Sequence, residues 1–328
     1  LQISEKEIDK LPVRRNVNAV ALLAPGVITG DAGFGELPSF GGASVAENIF
    51  YLNGLNITNP RNGLGGSEVP FEFFKDFQIK TGGYSAEFGR STGRVINSVS
   101  KTGTTEWQST FSIIYNPNAL ASNSKDVYNS EGDLVVSNRY DEINQSELNI
   151  QVGGPIIKDK LFIYVLLNPQ WTDSTNYQAD WTQTKSTNDA MFWGTSINWL
   201  INDKNRIDFT AFSDQATIKN KISDWDPYEN EIYSAARPSE NDVGGTSAIL
   251  KYTANFTDNF SMSAMWGQAE FNNSESSNLD NNPVIYYTED GANFIQQGDW
   301  AVYQPGTSKD KRTAYRLDFD WFLGNHRL

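Results

Sequence analysis

A run of acidic residues is the clearest place in this sequence to look for a metal ion. The carboxylates concerned are those of Asp224, Asp226, Glu229 and Glu231. Hard cations such as Ca²⁺ bind several carboxylate oxygens, so a calcium site is one expectation here. The other is a solvated outer surface, which is the usual setting of a run of charges. The sequence indicates no other cofactor.

Catalytic chemistry has little support in the residue types present. The chain has a single histidine, His326, and no cysteine. A histidine-based triad and a multi-histidine metal site are therefore excluded within these residues, as is a thiolate nucleophile. Carboxylate pairs are too common in the acidic segments to nominate one as a catalytic pair. We therefore expect no enzyme active site in this chain.

Charge is distributed unevenly along the chain. Residues 1–105 carry as many acidic as basic side chains, so the net charge of -14 belongs to residues 106–328. Most of it lies in four long, polar connections in that part of the chain. A negatively charged surface repels phosphates, which argues against nucleic acid as a partner.

The elements that position these residues are strands in which apolar and polar side chains alternate. Eight such segments follow residue 106, and they are residues 107–115, 147–152, 161–171, 191–199, 206–211, 250–256, 260–266 and 315–321. In the last of them Tyr315, Leu317 and Phe319 alternate with Arg316 and Asp318. Charges are costly in lipid, so the second face is expected to meet a polar interior.

The connections between these strands alternate between long and short. Residues 202–205 are one of the short links, whereas every second connection is a long polar segment. A soluble β-sandwich also has alternating strands, but it gives no reason for this asymmetry. One rim of tight turns and one rim of loops is typical of an antiparallel transmembrane β-barrel. Such barrels escape hydropathy searches, which fits the mean hydropathy of -0.49 and the lack of a helix-length apolar stretch.

Residues 1–105 follow a different pattern of short apolar runs separated by glycine-rich turns, as in a compact mixed α/β domain. The glycine-rich residues 82–93 could suggest a phosphate-binding loop, but no helix-forming segment follows them. Three segments resemble the plug domain of TonB-dependent outer-membrane receptors, namely residues 24–27 (APGV), 51–55 (YLNGL) and 67–107. Asn53, where relatives often carry Asp, and Arg94, after Gly93, are departures that would not break a turn.

Further phrases resemble the Oar-like branch of this family. They are residues 46–48 (AEN), 82–90 (GGYSAEFGR) and 153–155 (GGP). The resemblance implies a plug domain in residues 1–105 and the first part of an outer-membrane barrel in residues 106–328. Because such barrels have about twenty-two strands, eight strands imply a fragment with an exposed sheet edge at its eighth strand.

The resemblance also implies partners and a location. Receptors of this family lie in the bacterial outer membrane, in contact with its lipid, with long loops outside and short turns in the periplasm. The TonB–ExbB–ExbD system would act through a segment upstream of Leu1, since no TonB box is evident in these residues. A surface lipoprotein covering the long loops is a further possible partner.

Ligand contacts are expected at the plug tips, in residues 31–35, 44–48 and 59–66. The side chains favoured as ligand-facing supply an aromatic ring, both charges and an amide, and they are Phe34, Glu47, Arg61 and Asn62. The alternative for each is that it only shapes a turn. Ion pairs holding the plug to the barrel are expected among Arg90, Arg94, Glu72, Asp76 and Glu87.

Three functions are compatible with these features. The first is energised import of a scarce nutrient such as a siderophore, oligosaccharide or peptide, by displacement of the plug. A second is Oar-like traffic or display of a larger peptide or protein cargo. The third is a structural or adhesive barrel, for which a plug has no evident purpose.

Overall fold

The computed structural model describes residues 2–4, 7, 17–31, 37–80, 94–178, 181–277, 285–288, 294–297, 305–323 and 326–327. In this described part, no helix is long and apolar enough to cross a membrane. The described residues form a small sheet domain, here called the plug, and a large antiparallel sheet, here called the wall.

In its described residues, the plug contains one short α-helix, two 3₁₀ helices and seven strands. The 3₁₀ helices are Val45–Glu47 and Phe71–Phe73. The other elements are α1 (Val17–Ala21), β1 (Gln2–Ser4), β2 (Val27–Thr29), β3 (Pro38–Phe40), β4 (Ile49–Leu52), β5 (Leu55–Asn56), β6 (Phe74–Lys80) and β7 (Val95–Ser100). Five strands form one sheet in the order β1-β6-β7-β4-β5, in which only β4 and β7 are parallel. Strands β2 and β3 pair separately. This mixed sheet confirms the expected plug fold, and its apolar face buries Leu52, Phe74, Phe77 and Ile96.

The wall contains the eight strands that the alternating pattern predicts. They are β8 (Gln108–Asn116), β11 (Glu142–Ile157), β12 (Leu161–Tyr177), β13 (Thr182–Asn202), β14 with β15 (Asn205–Ser213 and Ala216–Asp226), β17 with β18 (Arg237–Gly244 and Thr246–Thr257), β19 (Phe260–Ser276) and β22 (Gly306–Leu323). All neighbours are antiparallel. Among the described strands, β8 pairs only with β11, and β22 pairs with β19 and the short β23, His326–Arg327.

The prediction of long loops at every second connection is wrong in two places. Strands β12 and β13 pair up to Tyr177 and Gln183, so most of that connection is strand. Likewise, β13 pairs with β14 and β15 in one continuous register, and β15 pairs with β17. A search for alternating apolar residues does not detect segments that are polar on both faces. Their backbone hydrogen bonds still continue the sheet, because a strand that does not contact lipid needs no apolar face.

Shorter strands complete the long connections. They are β9 (Val127–Tyr128), β10 (Leu134–Val136), β16 (Glu231–Ile232), β20 (Ile285–Thr288) and β21 (Phe294–Gln297). Three connections also meet in an aromatic cluster around Trp225, whose ring is 1% exposed. Its centroid lies 4.5 Å from that of Tyr177 and 6.1 Å from that of Tyr140. The outer ends of these hairpins are therefore packed against one another.

The two faces of the wall differ in the way expected of a barrel. Large apolar side chains are exposed on the face away from the plug, among them Phe111, Ile113, Trp199, Tyr315 and Leu317. The opposite face, here called the inner face, contacts the plug and includes Asp208, Arg316 and Asp318. An exposed apolar band on an antiparallel sheet is typical of a surface that meets lipid.

A candidate ligand cavity between plug and wall

The plug is fixed to the wall by an aromatic cluster, here called the plug seat. Phe73 of the plug is fully buried, and its ring centroid lies 6.1 Å from Tyr164, 5.7 Å from Phe192 and 6.1 Å from Phe212. Gly194 lies beneath this ring, where an added Cβ would come within 2.5 Å of it. Only glycine leaves room for the ring at this position of the wall.

The plug approaches the wall closely at a second place, in the neighbouring hairpin of β18 and β19. A Cβ on Gly267 would meet Leu55 of the plug at 2.7 Å. In the register of the wall, Gly267 pairs with Ile249, which in turn pairs with Thr210. Small or apolar inner-face residues in one row across the strands thus let the plug approach the wall backbone.

Hydrogen bonds surround the plug seat. The hydroxyl of Tyr164 donates to the carbonyl of Glu72 at 2.8 Å. Asn53 has a positive φ of 48°, and its side-chain amide donates to Ser100 at 2.8 Å and to Thr210 at 2.9 Å. The seat therefore combines apolar packing with satisfied polar groups.

Strand β22 makes several polar contacts with the plug through one arginine side chain. The Nη1 atom of Arg312 lies 2.9 Å from the carbonyl oxygen and 2.8 Å from the Oδ1 atom of Asn56, and 2.8 Å from the carbonyl oxygen of Thr58. One residue pair nearer the loops, Arg61 donates to both carboxylate oxygens of Asp310 at 2.7 and 3.1 Å. These contacts fix residues 56–61 of the plug against β22.

A cavity of about 540 Å³, here called the mouth cavity, lies between the plug and the wall on the side of the long connections. It is lined from the plug by Asn59 and residues 66–68 and from the wall by Gln170, Asn188, Ala190, Phe192, Asp214, Gln215, Ala216, Ile218, Val243, Gly244, Phe271, Asn272 and Asn273. Its volume is within the range of small-molecule sites.

Asp214 is placed in this cavity by an interruption of the wall. The residue lies between β14 and β15, opposite the break between β17 and β18. Its carboxylate accepts hydrogen bonds from the backbone N–H of Gly245 at 2.8 Å and of Glu68 at 2.7 Å. Gly244 has a φ of +81°, and a Cβ on Gly245 would lie 2.1 Å from a backbone oxygen, so the break requires both glycines.

Glu68 contributes the second carboxylate of the mouth cavity. Its side chain is solvent-exposed through the cavity, while the surrounding plug and wall atoms displace part of the water around its carboxyl. Burial raises the pKa of the Glu68 carboxyl, and the nearby carboxylate of Asp214 raises it further. Among the described residues, no hydrogen bond or ion pair to the Glu68 carboxyl accompanies this shift. Within the described residues, the Glu68 carboxylate is therefore an anion without a positively charged partner.

A second cavity, of about 430 Å³, lies between plug and wall towards the short turns. Its charged lining includes two ion pairs, Arg206 with Asp208 at 2.7 Å and Arg316 with Asp318 at 2.8 Å, together with Lys251. The two cavities lie on opposite sides of the plug seat and differ in charge. The mouth cavity is acidic, whereas this one carries paired charges and additional lysines.

The structure places the predicted ligand-facing residues on turns. The guanidinium of Arg61 is paired with Asp310, and the side chain of Asn62 accepts a hydrogen bond from the N–H of Leu64 at 2.9 Å. Glu47 lies in a short 3₁₀ helix capped by Ser44. None of the three is among the residues that line the mouth cavity. Phe34 lies outside the described residues.

The predicted plug–barrel ion pairs take different positions. Arg94 lies over the ring of Phe40 in the plug, with its Cζ 5.6 Å from the centroid. Glu72 is 5% exposed beside the plug seat, and Asp76 lies in β6 opposite Ser4. Arg90 and Glu87 lie outside the described residues. Among the described residues, Arg61 and Asp310 form an ion pair that joins plug and wall.

Two of the four carboxylates considered for calcium serve an ion pair and a turn. Asp224 pairs with Arg237 at 2.6 Å, and Asp226 accepts hydrogen bonds from the N–H groups of Tyr228 and Glu229. Glu231 is exposed in β16. Within the described part of the chain, no three His, Cys, Asp or Glu side chains are grouped in a way that could hold a metal ion.

Comparisons with known proteins agree with this architecture. Residues 1–94 match the family model described as the TonB-dependent receptor plug domain. The chain is 34% identical over 158 residues to the TonB-dependent transporter Oar of Myxococcus xanthus, a match that covers 48% of the chain and 14% of Oar. The chain therefore spans only a small part of this relative's length.

Solved structures share the fold. The siderophore receptor PirA of Acinetobacter baumannii matches with a TM-score of 0.58 at 15% identity, over 100% of this chain and 46% of PirA. A variant of the ferric enterobactin receptor PfeA of Pseudomonas aeruginosa matches with a TM-score of 0.62 at 13% identity, over 99% of this chain and 47% of that receptor. These relatives are named as transporters and receptors and none as an enzyme, in line with the sequence.

The plug match, the likeness to Oar and the shared fold together support a TonB-dependent receptor with Oar-like sequence. The described residues form a plug and an antiparallel sheet that resembles part of the barrel of such receptors.

Proposed function

We propose that this chain forms the plug and the first barrel strands of a transporter that moves a ligand across the outer membrane by energised displacement of the plug. The observation that carries the proposal is the mouth cavity, which lies between the plug and the inner face of the wall. A ligand held there would touch both parts. Movement of the plug would then change the ligand's surroundings directly.

The position of the contacts supports displacement rather than a permanent closure. In the described residues, the plug contacts the wall through the apolar seat, the approach of Leu55 to Gly267, and hydrogen bonds that include those of Asn53 and Arg312. TonB-dependent transporters generally work with TonB, ExbB and ExbD. We propose the same system here, acting through a segment upstream of Leu1, with the long connections outside the cell, the short turns in the periplasm and a surface lipoprotein as a further partner.

A disulfide between plug and wall tests this function in the full-length protein. Asn53→Cys with Thr210→Cys replaces a hydrogen-bonded pair, and these 328 residues contain no other cysteine. We expect cells with the oxidised variant to stop depleting specific solutes from the medium, and reduction to restore depletion. Each single cysteine variant is the control. Unchanged depletion by the oxidised variant would contradict transport by plug displacement.

A second candidate function is compatible with the likeness to the TonB-dependent transporter Oar. The chain could serve traffic or display of a peptide or protein cargo rather than uptake of a small nutrient. The same locked variant separates the two, because a change in the secreted or surface-displayed proteins without a change in solute depletion favours the larger cargo. If neither changes, a structural or adhesive role is favoured.

A further inference from the structure

The polar lining of the mouth cavity consists mainly of amides and of charged groups of a single sign. Six amide side chains line it, those of Asn59, Gln170, Asn188, Gln215, Asn272 and Asn273. They can both donate and accept hydrogen bonds. The charged side chains among the described lining residues are Glu68 and Asp214, which are both acidic. A ligand that fits this lining therefore needs more donors than acceptors at the acidic end.

The two carboxylates lie together at that end. The backbone N–H of Glu68 donates to Asp214 at 2.7 Å, which holds the two residues side by side. Each oxygen of Asp214 accepts one backbone hydrogen bond and retains capacity for another. A carboxylate that is partly desolvated and lacks a cationic partner is unfavourable, and the raised pKa of Glu68 follows from this desolvation and from the nearby carboxylate of Asp214.

Several acidic side chains of the wall have a basic partner. Asp224 is paired with Arg237 at 2.6 Å, Asp310 with Arg61 at 2.7 Å, and Asp208 with Arg206 at 2.7 Å. Among the described residues, no such partner is found at Glu68 and Asp214. These two carboxylates lie beside the interruption of the wall, in the lining of the mouth cavity.

We propose that the mouth cavity binds its ligand through a positively charged group, an ammonium or a guanidinium, placed against the carboxylates of Glu68 and Asp214, with the amides holding the rest of the ligand. This inference rests on the proposed transport function and names the ligand class. The net charge of -14, all of it in residues 106–328, would attract such a ligand to the cavity.

A cysteine placed in the cavity measures this preference without knowledge of the natural ligand. In the full-length protein, with any cysteine beyond these residues replaced, Asn273→Cys is treated with a trimethylammonium and with a sulfonate methanethiosulfonate reagent. Each rate is divided by that reagent's rate with free 2-mercaptoethanol. We expect the cationic reagent to react about tenfold faster after this correction.

The carboxylates are then neutralised one at a time. Glu68→Gln should lower the preference about threefold, and Glu68→Gln with Asp214→Asn should remove most of it. The matched control, Glu131→Gln with Asp258→Asn, neutralises two exposed carboxylates outside the cavity and should leave the preference unchanged. If the control lowers it as much, or Glu68→Gln does not, the cavity assignment is overturned.

Protection by a bound probe completes the test. Tri-lysine should slow modification of Asn273→Cys by the uncharged methyl methanethiosulfonate, whereas tri-glutamate should not. Equal or absent protection by the two peptides would contradict a cation-binding cavity. These readouts are independent of plug movement, so a failed charge preference with an active disulfide-sensitive transporter would reject the ligand class alone. The reverse result would reject the transport function alone.

Discussion

The plug seat and the mouth cavity lie only one inner-face row apart on the same strands, yet their chemistry is opposite. In the seat row, Gly194 pairs with Phe212, and the plug packs directly on the wall. In the next row towards the long connections, Phe192 lies opposite the interruption at Asp214, and a cavity opens. Close packing excludes water in the first row, whereas the second row retains space and unpaired carboxylates. Attachment of the plug and the proposed recognition of a ligand thus fall in adjacent rows.

The largest effect is expected from removing the ring at the centre of the plug seat. Phe73→Ala in the full-length protein should lower the free energy of plug opening by roughly 3–5 kcal/mol, because three wall rings lose their partner and a cavity is left. Hydrogen exchange of the amides in β6 and β7 measures this. Phe111→Ala, on the exposed outer face, is the control. Equal exchange in the two variants would show that the seat does not hold the plug.

A smaller loss is expected when the polar contact beside the seat is removed. Arg312→Ala leaves the carbonyls of Asn56 and Thr58 without their shared donor, at a cost of about 1–3 kcal/mol. Hydrogen exchange in residues 55–58 should increase most. Lys311→Ala, a neighbour with an exposed side chain, should change exchange little. An increase of the same size for both variants would argue against a specific role for Arg312.

The mouth cavity predicts a pH effect of smaller size. Because the pKa of Glu68 is raised in the folded protein, that state binds the proton more tightly than the unfolded state does. Stability therefore falls as pH rises from the unfolded pKa, about 4.3, through the raised folded pKa. Thermal unfolding of the full-length protein across this range should show a weaker decline for Glu68→Gln. Identical pH profiles would mean that neither desolvation nor Asp214 raises the pKa of Glu68.

The smallest effect is expected at the exposed pair of Arg61 and Asp310. Both side chains meet solvent, so salt should screen their attraction. Asp310→Asn should raise hydrogen exchange in residues 59–64 slightly at low salt, and the difference should vanish at high salt. Asp133→Asn, in a turn of the first long connection, is a control for loss of one carboxylate. A difference that persists at high salt would place this pair among the main attachments of the plug.

Periodicity predicted the lipid-facing parts of the fold, because a strand between lipid and a polar interior must alternate. It failed for β15 and β17, where polar residues lie on both faces and only backbone pairing defines the strand. The seat and the cavity were missed for another reason. Gly194, Phe73 and Glu68 become neighbours only through pairings between distant segments. The consecutive glycines Gly244 and Gly245 indicate an interruption of the strand. They do not indicate that Asp214, which lies between β14 and β15, is opposite that interruption.

The extension of the wall beyond its lipid-facing band affects how quickly a ligand can be captured. The hairpins continue as paired strands and pack together around Trp225, which restricts their independent movement. If the proposed ligand meets hairpins restricted in this way, no conformational search precedes contact, so its association rate should depend on diffusion and charge. We therefore expect capture to slow steeply with rising salt and to respond only weakly to solvent viscosity beyond its effect on diffusion.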